Sequence, residues 1–220
     1  LVKQGVMKEV LTPGAGWREV TYGDVFKFYS TASYSRSQLS ESSSVGYIHY
    51  GDIHTKYAAS LDLNKIKTFV TSDLKKNYSS VIKGDLIMAD ASEDMAAVGN
   101  SVEVTTEIIG CDVISGLHTI HMRDTEGVFV NGFRRLIHEM DVVKNQLDKA
   151  ANGLKVYGIS KSALSKILIP LPPKPEQTRI ATLLSDLDEE LTALEAQLAK
   201  ARAVKTGMLA DLLTGRVRLV

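Results

Sequence analysis

Residues 49–57 read His-Tyr-Gly-Asp-Ile-His-Thr-Lys-Tyr and gather His49, Asp52, His54, Lys56 and Tyr57 into nine positions. The stretch follows a strand-like run. Alternation along an extended chain would put Asp52, His54 and Lys56 on one face, and such donors and acceptors can read base edges in a major groove. The bland alternative is a solvated strand end. Two histidines and an aspartate also have a spacing compatible with metal ligation. No cysteine joins them and no metal motif surrounds them, so no metal site is expected. Two further stretches carry polar groups suited to DNA. Residues 30–38 are rich in hydroxyls around Tyr34 and Arg36. Hydroxyls and arginine serve phosphates, and arginine can also fork onto guanine; the alternative is a surface loop. Residues 151–158 offer Asn152, Lys155 and Tyr157 around two glycines, Gly153 and Gly158, which would allow a close backbone approach to a ligand. Arg134, Arg135, Lys75 and Lys76 are expected to be surface charges, or phosphate contacts at most.

Enzymatic chemistry finds little support. Ser72-Asp-Leu-Lys75 fits a Ser-x-x-Lys pattern, but so short a string is common by chance. There is no Walker loop, no Gly-x-Ser-x-Gly elbow and no Asn-Pro-Pro-aromatic motif of the kind adenine methyltransferases carry. Lys+Arg and Asp+Glu both number 26, giving a formal net charge of zero. DNA binding would therefore depend on local patches or on partners that share the phosphate contacts. The single Cys111 cannot form an intrachain disulfide, in keeping with a reducing, cytoplasmic compartment. No apolar run approaches the roughly 20 residues of a membrane helix.

The elements that must position these residues read as an α+β chain, with a mixed α/β domain over residues 12–168 and one long coiled-coil-type helix. Strands are expected at 44–50, 80–82, 84–88, 101–105 and 117–123, the last alternating like a half-buried strand. Helices are expected at 133–146 and 160–167, the second with Ser160 as N-cap. Residues 169–175, Ile-Pro-Leu-Pro-Pro-Lys-Pro, form a stiff extended hinge. Beyond it, Ile180, Leu184, Leu187, Leu191, Leu194 and Leu198 recur in steps of four and three, an a/d seam that resumes at Met208 and Leu212. Pro175 suits the first helical turn and Gly215 a C-terminal stop. A helix over 176–214 would be about 57 Å long, followed by a tail over 215–220.

The chain also repeats itself. Residues 2–12 align with residues 204–214 without a gap, and Val, Lys, Gly, Leu and Thr are identical. Residues 1–11 thus read as the end of a helix like the one that closes the chain, and a parent of two tandem units of about 200 residues is expected.

The run Ile169-Pro-Leu-Pro-Pro-Lys-Pro-Glu-Gln-Thr-Arg-Ile-Ala181, with Leu184-Ser-Asp-Leu-Asp188 and the Leu-Leu-Thr-Gly at 212–215, resembles the conserved region of specificity (S) subunits of type I restriction–modification enzymes. Gly16-Trp-Arg-Glu-Val20 with Gly23-Asp-Val25 resembles the start of that family's target recognition domain. Lys83-Gly-Asp-Leu-Ile-Met88 and Ala151-Asn-Gly-Leu-Lys155 match its looser landmarks. The resemblance implies a non-catalytic reader of double-stranded DNA. A full S subunit carries two recognition domains, one per half of a split target, spaced by two antiparallel helices. Those helices dock two methyltransferase (M) subunits, and restriction (R) subunits join afterwards. S-adenosylmethionine, ATP and Mg would belong to those partners and no cofactor to this chain. The sequence departs from the family in having one recognition domain and one complete helix. Either it is the C-terminal half of a full subunit, which the remnant at 1–11 and the missing initiator Met favour, or it is a half-subunit that self-associates through the long helix. The rival readings are a coiled-coil assembly protein with a protein-binding head, and an enzyme working at residues 49–57.

Overall fold

A computed structural model of the chain describes residues 2–57, 60–70, 78–94, 97–107, 110–153 and 157–216, with Arg36 described for its backbone alone. The first half runs α1 (Val2–Val10), β1 (Arg18–Thr21), α2 (Tyr22–Val25), β2 (Lys27–Tyr29), β3 (Leu39–Ser40), β4 (Val45–Ile48), α3 (Tyr50–Thr55), β5 (Ser60–Leu61) and β6 (Phe69–Val70). It continues with β7 (Leu86–Ala89), β8 (Ala91–Ser92), β9 (Ser101–Val104), β10 (Asp112–Ser115) and β11 (Thr119–Arg123). The last elements are α4 (Asp141–Ala150), β12 (Tyr157–Gly158), α5 (Lys161–Leu164), β13 (Leu168–Leu171) and α6 (Lys174–Leu213). Contacts divide the chain into two units, Leu1–Ala181 and Thr182–Val220.

In the first unit a five-stranded sheet has the order β2-β11-β7-β9-β5, and a four-stranded sheet the order β10-β4-β6-β3. Most neighbours are antiparallel; β5·β9 and β10·β4 are parallel. β11 lies between β2 and β7 and is buried on both faces over Thr119, Ile120, His121 and Met122. It is a core strand, where the alternation had suggested a half-buried one. A polar network fits into it: Asp85 Oδ2 lies 2.7 Å from His121 Nε2, and Arg123 Nε donates to Asp85 Oδ1 at 2.6 Å. Burial works against the Asp85 charge, but the hydrogen bonds from Arg123 and His121 overturn it and leave the carboxyl below its usual range.

Arg134 is no surface charge. It is buried and donates to Glu103 Oε1 at 3.1 Å, Asn131 Oδ1 at 3.1 Å and the Phe129 carbonyl at 3.1 Å. The expected single helix at 133–146 is two pieces, a 3-10 turn at Arg134–Glu139 and then α4. Met140 leaves helical geometry between them, with ψ 125°. The proline run is extended only over residues 169–173, because the helix already begins at Lys174 and takes in Pro175, and its first part is not a free hinge. Residues Leu168–Leu171 pair with β1 in an antiparallel ribbon, an edge position that tolerates Pro170 because it needs no donor there.

In the second unit α6 continues to Leu213, making a 40-residue helix of roughly 60 Å from its start at Lys174. Of the seam residues, Ile180 and Leu184 are buried and Leu187 and Leu212 half-buried. Leu191, Leu194, Leu198 and Met208 are exposed, the last three by 52%, 51% and 62%. At the two ends of the repeat the same local bond recurs: Thr12 Oγ1 donates to the Lys8 carbonyl at 2.6 Å, and Thr214 Oγ1 to the Ala210 carbonyl at 2.7 Å.

Candidate functional site

The segment that follows β4 is helical, not extended. His49 caps α3, its Nδ1 accepting from the Gly51 N–H at 3.1 Å. In a helix, Asp52 and Lys56 are one turn apart and form an ion pair of 2.7 Å, with Asp52 buried. His54 stands two residues from each and points elsewhere. Asp52, His54 and Lys56 therefore share no common face, because helical period replaces alternation. Burial, then the Asp52 charge, pushes the Tyr57 phenol up to about 12, so it remains a neutral hydroxyl.

His54 is positioned by residues far away in sequence. Its Nε2 donates to the Ala91 carbonyl at 3.4 Å, and its Nδ1 accepts from Asn100 Nδ2 at 3.3 Å. Ala91 belongs to β8, which pairs with β12: Tyr157 opposite Ser92 and Gly158 opposite Ala91. Asn152 closes the same ribbon by exchanging two backbone bonds with Gly158, at 3.0 and 2.9 Å. Just before β8, the Asp90 N–H donates to the His118 carbonyl at 3.1 Å, and the Ile159 N–H donates to the Asp90 carbonyl at 2.9 Å. Residues 89–92 are thus a hub that brings together the stretches 49–57 and 151–158, Asn100, and the β10–β11 turn that carries His118.

A chain of rings crosses this surface. Tyr50 lies 4.7 Å from His49, 6.4 Å from His54 and 5.5 Å from His118. His49 continues the chain to Tyr47 at 6.5 Å, and Tyr47 to Tyr34 at 6.1 Å. Tyr34 is buried and packs edge-on against Tyr78 as well. It serves the core beneath the site, which corrects the expectation of a direct DNA contact. Arg36 starts a 3-10 turn, Arg36–Gln38. Lys155 lies outside the described residues. The Asn152 amide donates to the Ala150 carbonyl at 3.0 Å.

A cavity of about 370 Å³ opens beside His54, lined among others by Tyr57, Asn100, Ser101, Arg135 and His138. His138 is buried, with Nδ1 on the Ser101 hydroxyl. Burial, aided by the Lys144 charge, lowers it to about 3, so its ring is neutral. Among the described residues no three His, Cys, Asp or Glu side chains come together as a metal-ligand set, and no helix is long and apolar enough to cross a membrane.

Sequence reasoning missed Tyr50, Asp90, Asn100 and His118. Tyr50 stands inside the quoted stretch and could have been found as its aromatic neighbour. The other three depend on pairing at the hub, which leaves no local signal.

The surface thus offers imidazoles, a phenol and amides, groups that can donate, accept and stack. A family model described as type I restriction modification DNA specificity domain matches residues 122–201. The specificity subunit of the type I restriction enzyme MjaVIII from Methanocaldococcus jannaschii is 30% identical over 79 residues, 36% of this chain and 19% of that protein. Among solved structures, a chain of a type I R-M system is similar with a TM-score of 0.65 at 20% identity, covering 94% of this chain and 48% of that one. The HsdS subunit from Thermoanaerobacter tengcongensis gives 0.60 at 20% identity, covering 96% and 49%. The S subunit from M. genitalium gives 0.53 at 14%, covering 92% and 46%. The chain spans about half the length of these solved chains. Residues 122–201 are thus similar to the type I restriction modification DNA specificity domain, and the chain shares the fold of about half of each of these solved chains.

Proposed function

We propose that this chain reads one half of a bipartite DNA target and delegates all chemistry to partners. The observation that carries this reading is the hub at residues 89–92, which gathers Tyr50, His54, Asn100, His118 and Tyr157 from four separate segments onto one surface. Side chains of these types read base edges and stack on sugars and bases. The exposed seam at Leu191, Leu194, Leu198 and Met208 docks methyltransferase subunits, two per full specificity subunit, and receives a second helix of its own kind. The recurring end of α1 supports that pairing. Restriction subunits join the complex, S-adenosylmethionine, ATP and Mg reside in the partners, and the assembly works in the cytoplasm.

With a net charge of zero, the chain alone has little to offer phosphates, and affinity must come from partners that close around the duplex. Fluorescence anisotropy with labelled duplex tests this. The isolated chain is expected to bind weakly and with little sequence preference, and the complex with methyltransferase tightly and selectively. A tight, sequence-specific complex of the lone monomer persisting at high salt would contradict it.

A further inference from the structure

We propose that His118 determines specificity at one base pair, presenting Nε2 as a hydrogen-bond acceptor to the exocyclic amine of an adenine or a cytosine. The proposal deepens the DNA-reading function above and rests on it. It begins with the backbone. Among the described residues, His118 is the non-glycine residue at positive φ, 57°. Glycine fills such a position at lower cost, and histidine is among the few other residues enriched there. A side chain kept at a turn that glycine would suit better points to a use for it.

The turn that carries it is fixed from below. The Gly116 N–H donates to the Ile48 carbonyl at 3.0 Å, and the Leu117 N–H donates to Tyr47 Oη at 2.9 Å. A Cβ on Gly116 would lie 2.4 Å from Tyr47 Cζ, so only glycine lets the turn approach this closely. Thr119 Oγ1 is 2.6 Å from Ser115 Oγ and ties the two strands across the turn. The position of His118 is therefore built, not left to a loose loop.

The ring is also oriented. Asp90 Oδ1 lies 3.4 Å from Nδ1, and the Tyr50 ring meets the imidazole edge-on at 5.5 Å. The Asp90 carboxyl stands on the Nδ1 side of the ring, which suits the tautomer with its proton on Nδ1 and its lone pair on Nε2. Nε2 has no hydrogen-bond partner among the described residues, and the side chain is 50% exposed. In a major groove a fixed acceptor pairs with adenine N6 or cytosine N4. It rejects guanine N7 and O6 and thymine O4, which are acceptors themselves. Because the ring is already ordered, recognition loses little entropy.

The experiment maps the methylated motif in cells that carry the full chain with its methyltransferase subunits. His118→Ala and His118→Gly are compared with the parent; glycine suits the left-handed turn and keeps the fold where alanine fails. Both are expected to lower discrimination about tenfold at a single adenine or cytosine position, with the rest of the motif retained. Unchanged discrimination at every position in both variants overturns the role of His118 and leaves the DNA-reading function standing. Loss of methylation on all sequences by both variants overturns it too, since the contact would not be confined to one base pair. A parent motif that stays the same when this chain is exchanged for another specificity chain overturns the reading itself.

Discussion

The two units treat their apolar side chains in opposite ways. In Leu1–Ala181, Tyr22, Tyr47, Phe133, Ile87 and Met88 are fully buried, and even Asp85, Glu103 and Arg134 are buried with hydrogen-bonded partners. In Thr182–Val220, leucines at regular heptad spacing are left in water, Leu194 and Leu198 about half exposed. Full burial of one such side chain contributes roughly 1.5–3 kcal/mol. A helix that leaves several of them uncovered is complete only with a partner. The first unit is therefore closed by its own contacts, and the second leaves an apolar seam uncovered.

The largest expected effect is on the seam. Changing Leu191, Leu194 and Leu198 together to Glu should reduce co-purification with methyltransferase, and any self-association, by on the order of a hundredfold or more. The melting temperature of the first unit should not move, since none of the three is buried. Survival of both associations would break the comparison by giving the seam another role.

A smaller effect sharpens it from the other side. The buried His138 is lowered to about 3 in the folded chain, against an unfolded value of about 6.5. Above pH 6.5 neither state binds this proton and stability is full. As pH falls from 6.5 toward 3 the unfolded state gains the proton first, so stability declines, by on the order of 3 kcal/mol between pH 7 and pH 4. His138→Gln should remove that part of the slope in urea unfolding curves and leave assembly at neutral pH untouched. A variant with the same acid slope would mean that His138 takes its proton without unfolding.

The sequence made some parts of this structure legible and hid others, for physical reasons. The long helix was readable because a heptad seam is a local pattern, and its observed end at Leu213 agrees with the expected stop. Ser160 was readable as a cap for the same reason: its side chain accepts from the Ala163 N–H. Residues 50–55 were misread as extended because β4 precedes them and polar residues alternate there. His49 turns the chain into α3 by capping it, a role its residue type does not advertise. Arg134 could not be read as buried because Glu103 and Asp124 reach it from other elements. The candidate site shares that difficulty. The stretches 49–57 and 151–158 were visible as compositions, but their meeting at Ala91 depends on bonds spanning up to 67 positions, from Ala91 to Gly158.

Hydrogen exchange of the full chain, alone and with methyltransferase, tests the central claim most directly. The amides of β7 and β11 should be protected in both states. Those of residues 185–213 should exchange quickly in the dilute chain and become protected in the complex. If residues 185–213 are as protected as β7 and β11 in the lone chain at every concentration, and methyltransferase changes nothing there, the helix needs no partner and the division between a finished and an unfinished unit is wrong.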